Sequence, residues 1–272
     1  MPHTEINGVD IYFEQHGESG EPLVLMHGYT GDITDWRFQV TEFSRTHRVL
    51  MMDHRGHGRS DAPRERESYT VDQMASDALA LMESLGWERY HLVGHSMGGA
   101  IAQEMALSHP GRLMSLTLHD TTYQFDVPKN EMLAKYIEVR NQIAEEQGMI
   151  ALAAMPSLFP PPPFMPAERQ AETQERLAAM SADAFIGAGI GLRSWAGTAD
   201  RLAEIRARTM VIYGDLDSYV MMIEAAKHMA ATIPNATLEV VPQAGHSPQY
   251  ERPELFNAAL RRHLEAGAAS AK

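Results

Sequence analysis

Short strand-like runs, mostly apolar, recur along this chain between segments long enough for helices, and that alternation constrains the fold more than any other feature. The runs are Val9 to Phe13, Leu23 to Met26, Arg48 to Met52, His91 to Val93, Leu113 to Leu118, Thr209 to Tyr213 and Leu238 to Val241. Strands alternating with helical segments predict an α/β fold with a mostly parallel central sheet flanked by helices. Asn7-Gly8, a pair suited to a two-residue hairpin turn, predicts an antiparallel start. Val71, Met74, Ala75, Ala78, Leu81, Met82 and Leu85 are spaced by three and four, which gives one apolar face of a helix. A second helix is expected from about Gly98 to Ser108, before His109-Pro110.

The rhythm breaks between Gln124 and Gly197, where no strand-like run occurs and Ala, Glu, Gln, Met and Pro dominate. At 272 residues the chain allows one large domain or a core with an insertion. The expected organisation is a core of residues 1–123 and 198–272, with residues 124–197 inserted as a helical cap. Phe159 and Phe164 flank four prolines, which cannot continue a helix. This segment reads either as a stiff lid edge over a pocket or as a surface linker. The glycines of Gly187-Ala188-Gly189-Ile190-Gly191 lack a preceding strand and dinucleotide spacing, so they predict a tight helix contact or a break. Met149, Met155, Met165 and Met180 crowd the insertion, suiting it to an apolar, deformable pocket.

Composition narrows the function classes. With 23 basic against 36 acidic residues the net charge is −13, which opposes a phosphate backbone, so no nucleic-acid partner is expected. There is no cysteine, which removes disulfides, thiolate metal sites and a cysteine nucleophile. The N-terminal segment has no signal-peptide pattern and no apolar run reaches about 18 residues, so the expectation is a cytoplasmic protein with no membrane partner. Oligomeric state is not legible.

The chemistry concentrates at Gly94-His95-Ser96-Met97-Gly98, which directly follows a strand-like run and precedes a helix-like one. A nucleophile held on a sharp strand-to-helix turn needs glycines on either side, because the backbone there is strained and closely packed. Ser96 would project from that turn above the C-terminal edge of the sheet. A serine hydroxyl needs a base to take its proton and a third group to orient the base. Two later loops supply candidates at strand ends: Asp215 and Asp217 after Met210 to Tyr213, and His246 after Leu238 to Val241. The amide of Met97, at the start of the helix after Ser96, is placed to donate to an oxyanion.

Together with His27-Gly28-Tyr29-Thr30-Gly31 and Asp53-His54-Arg55-Gly56-His57-Gly58-Arg59-Ser60, these motifs resemble the α/β-hydrolase fold family in its serine-nucleophile, capped, esterase- or lactonase-like form. The resemblance covers nearly the whole chain. It implies a Ser96, Asp217, His246 triad, with Asp215 and Asp120 as the other acids to weigh, and an oxyanion hole of the Tyr29 and Met97 amides. It also implies that Arg55 and His57 brace the sheet edge structurally, so His54 and His57 are not read as metal ligands, and that no cofactor or metal is required. Tyr123, Phe159, Trp195 and Val220 are the candidate substrate-binding residues, each equally readable as packing.

The expected reaction is hydrolysis of a carboxylic ester or lactone of a small, largely apolar substrate through an acyl-enzyme. Carbon–carbon bond hydrolysis of a ring-cleavage diketone is the alternative. A cofactor-free perhydrolase or haloperoxidase, or a ligand receptor on the same fold, would keep the same triad. Serine at the elbow argues against the aspartate chemistry of haloalkane dehalogenases and epoxide hydrolases.

Overall fold

The computed structural model describes residues 3–125, 131–157, 165, 167–217 and 220–268. The strands are β1 (His3–Ile6), β2 (Val9–His16), β3 (Pro22–Met26), β4 (Arg48–Met52), β5 (Tyr90–His95), β6 (Leu113–His119), β7 (Thr209–Gly214) and β8 (Ala236–Val241). They form one sheet in the order β1-β2-β4-β3-β5-β6-β7-β8. β1 and β2 make the hairpin at Asn7-Gly8, whose φ angles are both positive. β2 also pairs antiparallel with β4, and every later pairing is parallel. Apolar periodicity misses β1, because His3-Thr4-Glu5-Ile6 carries no apolar alternation and owes its conformation to pairing with β2.

Strand period 2 divides the interior into two cores, one on each face of the sheet. In β3, Val24 and Met26 enter one core while Leu23 and Leu25 enter the other. The helices α1 (Arg37–Phe43), α2 (Val71–Ser84) and α3 (Met97–Ser108) connect successive strands. Four more, α4 (Glu131–Glu146), α5 (Met149–Ala153), α6 (Ala167–Ala179) and α7 (Ala182–Ser194), lie between β6 and β7. After β7 come α8 (Val220–Thr232), then α9 (Pro248–Glu251) and α10 (Pro253–Ala268) beyond β8. The apolar faces of α2 and α3 fill the first core, and Phe43 of α1 with Phe256, Leu260 and Leu264 of α10 fills the second. No helix among the described residues is long and apolar enough to cross a membrane.

Two of the contacts that join the helices between β6 and β7 to the rest of the fold show how closely they are held. The first is steric: a Cβ on Gly191 would stand 2.0 Å from the Tyr69 carbonyl oxygen, and one on Gly187 would stand 2.6 Å from the Tyr69 ring. α7 runs unbroken through its glycines, which let it press against the chain before α2. The second is ionic. Asp35, in the loop after β3, is buried between Arg169 and Arg176 of α6, with Arg176 Nη1 2.7 Å from its Oδ1. Burial alone would raise the Asp35 carboxyl, but the Arg176 and Arg169 charges outweigh it and hold the group below the usual carboxylate range. Met149 is buried in a satellite core with Leu152, Phe185 and Ile186, and Met155 and Met180 pack against it.

Candidate active site

The ends of β3, β5, β6, β7 and β8 bring the singled-out residues to one edge of the sheet. Ser96 follows β5 with φ 52° and ψ −114°, a conformation that a non-glycine residue adopts only under strain. The surroundings enforce it: a Cβ on Gly94 would meet the Gly98 carbonyl oxygen at 2.3 Å, and one on Gly98 would meet the His27 and Met26 carbonyl oxygens at 2.6 Å. The Ser96 amide donates to the His119 carbonyl at 2.9 Å, and the Thr121 hydroxyl donates to the Ser96 carbonyl at 2.7 Å. Both neighbours come from the end of β6, so the strained turn is held by the adjacent strand.

Met97 opens α3, where the first amides have no acceptor within the helix. The loop after β3 lies against the elbow, for a Cβ on Gly28 would stand 3.1 Å from the Ser96 Cβ. Tyr29 follows in that loop, its hydroxyl donating to the Phe185 carbonyl of α7 at 2.6 Å and its ring stacked on Phe185. His27 donates from Nδ1 to the Gly28 carbonyl and accepts from the His54 amide at Nε2, which ties this loop to the one after β4. In that second loop Arg55 forms a buried, two-pronged pair with Asp77 and His57 bonds the Arg55 carbonyl, so both act as braces.

His246 and Asp217 meet directly, Nδ1 to Oδ2, at 2.8 Å. Asp215 is exposed and accepts from the Ala244 amide at 3.4 Å, so of the two acids in the loop only Asp217 contacts the histidine. Burial opposes a charged imidazole at 246, but Asp217, with Asp120 and Glu251 behind it, raises its pKa to about 9. Asp120 is also close, since one side-chain atom each of Asp120, Asp217 and His246 lies within 4.8 Å of the others. Its Oδ1 accepts from the Gly214 amide at 3.0 Å. Burial, reinforced by the Asp217 charge, raises the Asp120 carboxyl well above its ordinary range. This trio is the one metal-compatible cluster among the described residues, yet the His246 nitrogen facing Asp217 is engaged in a hydrogen bond rather than offered to an ion.

Two groups at this edge have no counterpart in the sequence analysis. His95 donates from Nε2 to the His246 carbonyl at 2.7 Å, and its ring lies between those of His119 and His246. Glu251 accepts the amides of Gly245 and Ser247, one on each side of His246. His95 occupies the variable position of the elbow motif and Glu251 lies five residues beyond His246, so local pattern marks neither.

The pocket candidates separate. Trp195 is buried, with its indole N–H on Glu104 at 2.8 Å and Phe125 beside it, which is packing against α3. Tyr123 packs against His228, and its carbonyl accepts the Thr198 amide at 2.8 Å. Phe159 lies outside the described residues, as does the side chain of Val220 at the start of α8.

A parallel sheet with a strained serine on the strand-to-helix turn, and a paired acid and histidine from later loops, describes a hydrolase architecture. The profile of the α/β hydrolase fold matches residues 21–253, and the chain belongs to that family. A candidate carbamate hydrolase of Azorhizobium caulinodans is 32% identical over 96% of this chain and 97% of its own length. Among solved structures, an enol-lactonase from Burkholderia xenovorans LB400 superposes with TM-score 0.85 at 25% identity, covering 97% of this chain and all of the other. A thermophilic esterase from Thermogutta terrifontis superposes with TM-score 0.83 at 29% identity, covering 98% of this chain and 97% of the other.

Proposed function

We propose that the protein is a serine hydrolase of carboxylic esters or lactones, with Ser96 as nucleophile, His246 as base and Asp217 as the group that orients it. The observation that carries this reading is the strained Ser96 elbow sharing a sheet edge with the hydrogen-bonded His246 and Asp217 pair. Likeness to an enol-lactonase and an esterase supports the choice of bond. The helices α4 to α7 act in this reading as a cap over the site.

The sequence of steps follows from the atoms. Asp217 engages Nδ1, which leaves Nε2 of His246 to take the Ser96 proton as Oγ attacks the acyl carbon. The negative charge that develops on the carbonyl oxygen is met by the amides of Met97 and Tyr29. As the tetrahedral species collapses, His246 returns the proton to the leaving oxygen, and the acyl group stays on Ser96. Water, deprotonated by the same histidine, then releases the acid and restores the serine.

Steady-state hydrolysis of a short and a medium-chain aryl ester and of a simple lactone tests the proposal. Multiple turnovers that fall about a thousandfold or more in Ser96→Ala support it. Full turnover in that variant, or none in the wild type, overturns it and turns attention to carbon–carbon cleavage or ligand binding.

A further inference from the structure

α7 is tethered at two points to the sheet edge that carries the elbow. At its start the Phe185 carbonyl receives the Tyr29 hydroxyl from the loop after β3. Just past its end Thr198 bonds the Tyr123 carbonyl in the loop after β6. In the sheet β5 lies between β3 and β6, so the two anchor points flank Ser96. α7 is thus tied to the loops on both sides of the strand that ends at Ser96.

Arg193 is carried on this helix. Its Nη1 and the Tyr29 hydroxyl each lie 3.0 Å from the point where a Cβ on Gly189 would stand, so the guanidinium and that hydroxyl are at most about 6 Å apart. The glycine opens the face of α7 on which both groups meet. Arg169 and Arg176 on the neighbouring α6 are taken up by Asp35. Arg193 has no carboxylate, hydrogen-bond or stacking partner among the described residues. It is only partly exposed, and burial holds its guanidinium below the ordinary value, offset in part by Tyr29. An unpaired, half-buried cation is costly, and it stands out in a chain with 36 acidic and 23 basic residues.

We infer that Arg193 is a subsite for an anionic group on the substrate, so that the ester or lactone hydrolysed here also bears a carboxylate. This inference rests on the proposed function and specifies its substrate class. A guanidinium presents parallel N–H donors that match the two oxygens of a carboxylate, and a desolvated pair of this kind is stronger than one in open water. A substrate anchored through its acid beside Tyr29 would have its scissile carbonyl fixed by the remaining chain length, which makes Arg193 a specificity-determining residue.

The test compares phenyl half-esters of glutaric, adipic and pimelic acid with the phenyl esters of the matching carboxamides, which differ only in charge. The expected result is a preference in kcat/KM of about tenfold or more for the acid at one length. In Arg193→Gln that preference collapses to a ratio near one, mainly through KM, and Arg193→Lys restores part of it. A ratio near one in the wild type at all three lengths, or an unchanged ratio in Arg193→Gln, overturns the inference. Binding is read separately as the shift in Tm of Ser96→Ala on adding the monoanilides of the same acids. A shift that disappears in the Ser96→Ala, Arg193→Gln double variant supports the subsite even where no ester turns over, so failure of the hydrolase reading and failure of the subsite are distinguishable. With no turnover, a shift that is absent or survives the second substitution overturns the subsite.

Discussion

His95 donates its Nε2–H to the backbone carbonyl of His246 at 2.7 Å, so the residue before the candidate nucleophile holds the loop that carries the candidate base. The contact links the end of β5 to the segment after β8, which are 151 residues apart in the chain. It also sets the His95 tautomer, because a carbonyl can only accept.

Replacing His95 by leucine leaves a buried carbonyl without its donor, which costs about 1–3 kcal/mol of stability. The same change lets His246 drift, and kcat is expected to fall roughly 10- to 100-fold with KM little affected. Urea denaturation and the kcat against KM split measure the two effects.

His246 has a pKa raised above the ordinary histidine value, chiefly by the Asp217 carboxylate acting against burial. Because the deprotonated imidazole is the active form in the proposed mechanism, kcat/KM should rise with pH through a value above about 6.5. In Asp217→Asn the rise moves to lower pH while the maximum rate drops. The stability sign is the opposite: the pair stabilises the fold fully below about 6.5 and less as pH rises towards 9. pH–rate profiles and urea midpoints on both proteins check this.

Asp35→Leu strands Arg169 and Arg176 without their buried carboxylate, at an expected cost of about 3–5 kcal/mol. Glu172→Gln weakens a more exposed pair with Arg37 and should cost at most about 1 kcal/mol. Denaturant midpoints of the two variants should differ accordingly. Comparable losses would place the attachment of α6 in its apolar contacts.

Several histidines are buried in their neutral form. Burial lowers His27, His119 and His263 to about 3 and His57 to about 4. The unfolded chain binds protons at these positions from about pH 6.5 downward while the folded chain does not, so their contribution is present above that pH and lost as it falls. Urea midpoints at pH 7, 6 and 5 should therefore decline steadily, and a flat series would count against neutral burial.

Both the fold and the elbow were legible because each depends on short-range pattern. The runs from Leu23 to Met26 and from Val49 to Met52 are apolar throughout, which suits strands covered on both faces, and both are buried along their length. β1 escaped because its four residues are polar enough to be loop, and only pairing with β2 makes them a strand. Trp195 was weighed as a pocket residue because it is large and apolar, whereas its place is set by a hydrogen bond to Glu104, 91 residues away. Nothing in a local window records such a partner.

Sequence alone determined the order of strands and helices, the strained serine turn and the two loops carrying Asp217 and His246, since all of these follow from side-chain period and backbone permissiveness over a few residues. Tertiary structure brought Asp217, the acid the family resemblance had pointed to, onto His246, and it alone decided that His95 and Glu251 hold the histidine's loop and that Arg193 stands beside Tyr29 without a counter-charge among the described residues. Those outcomes depend on distances between segments far apart in the chain, and the sheet brings such segments together only when it closes.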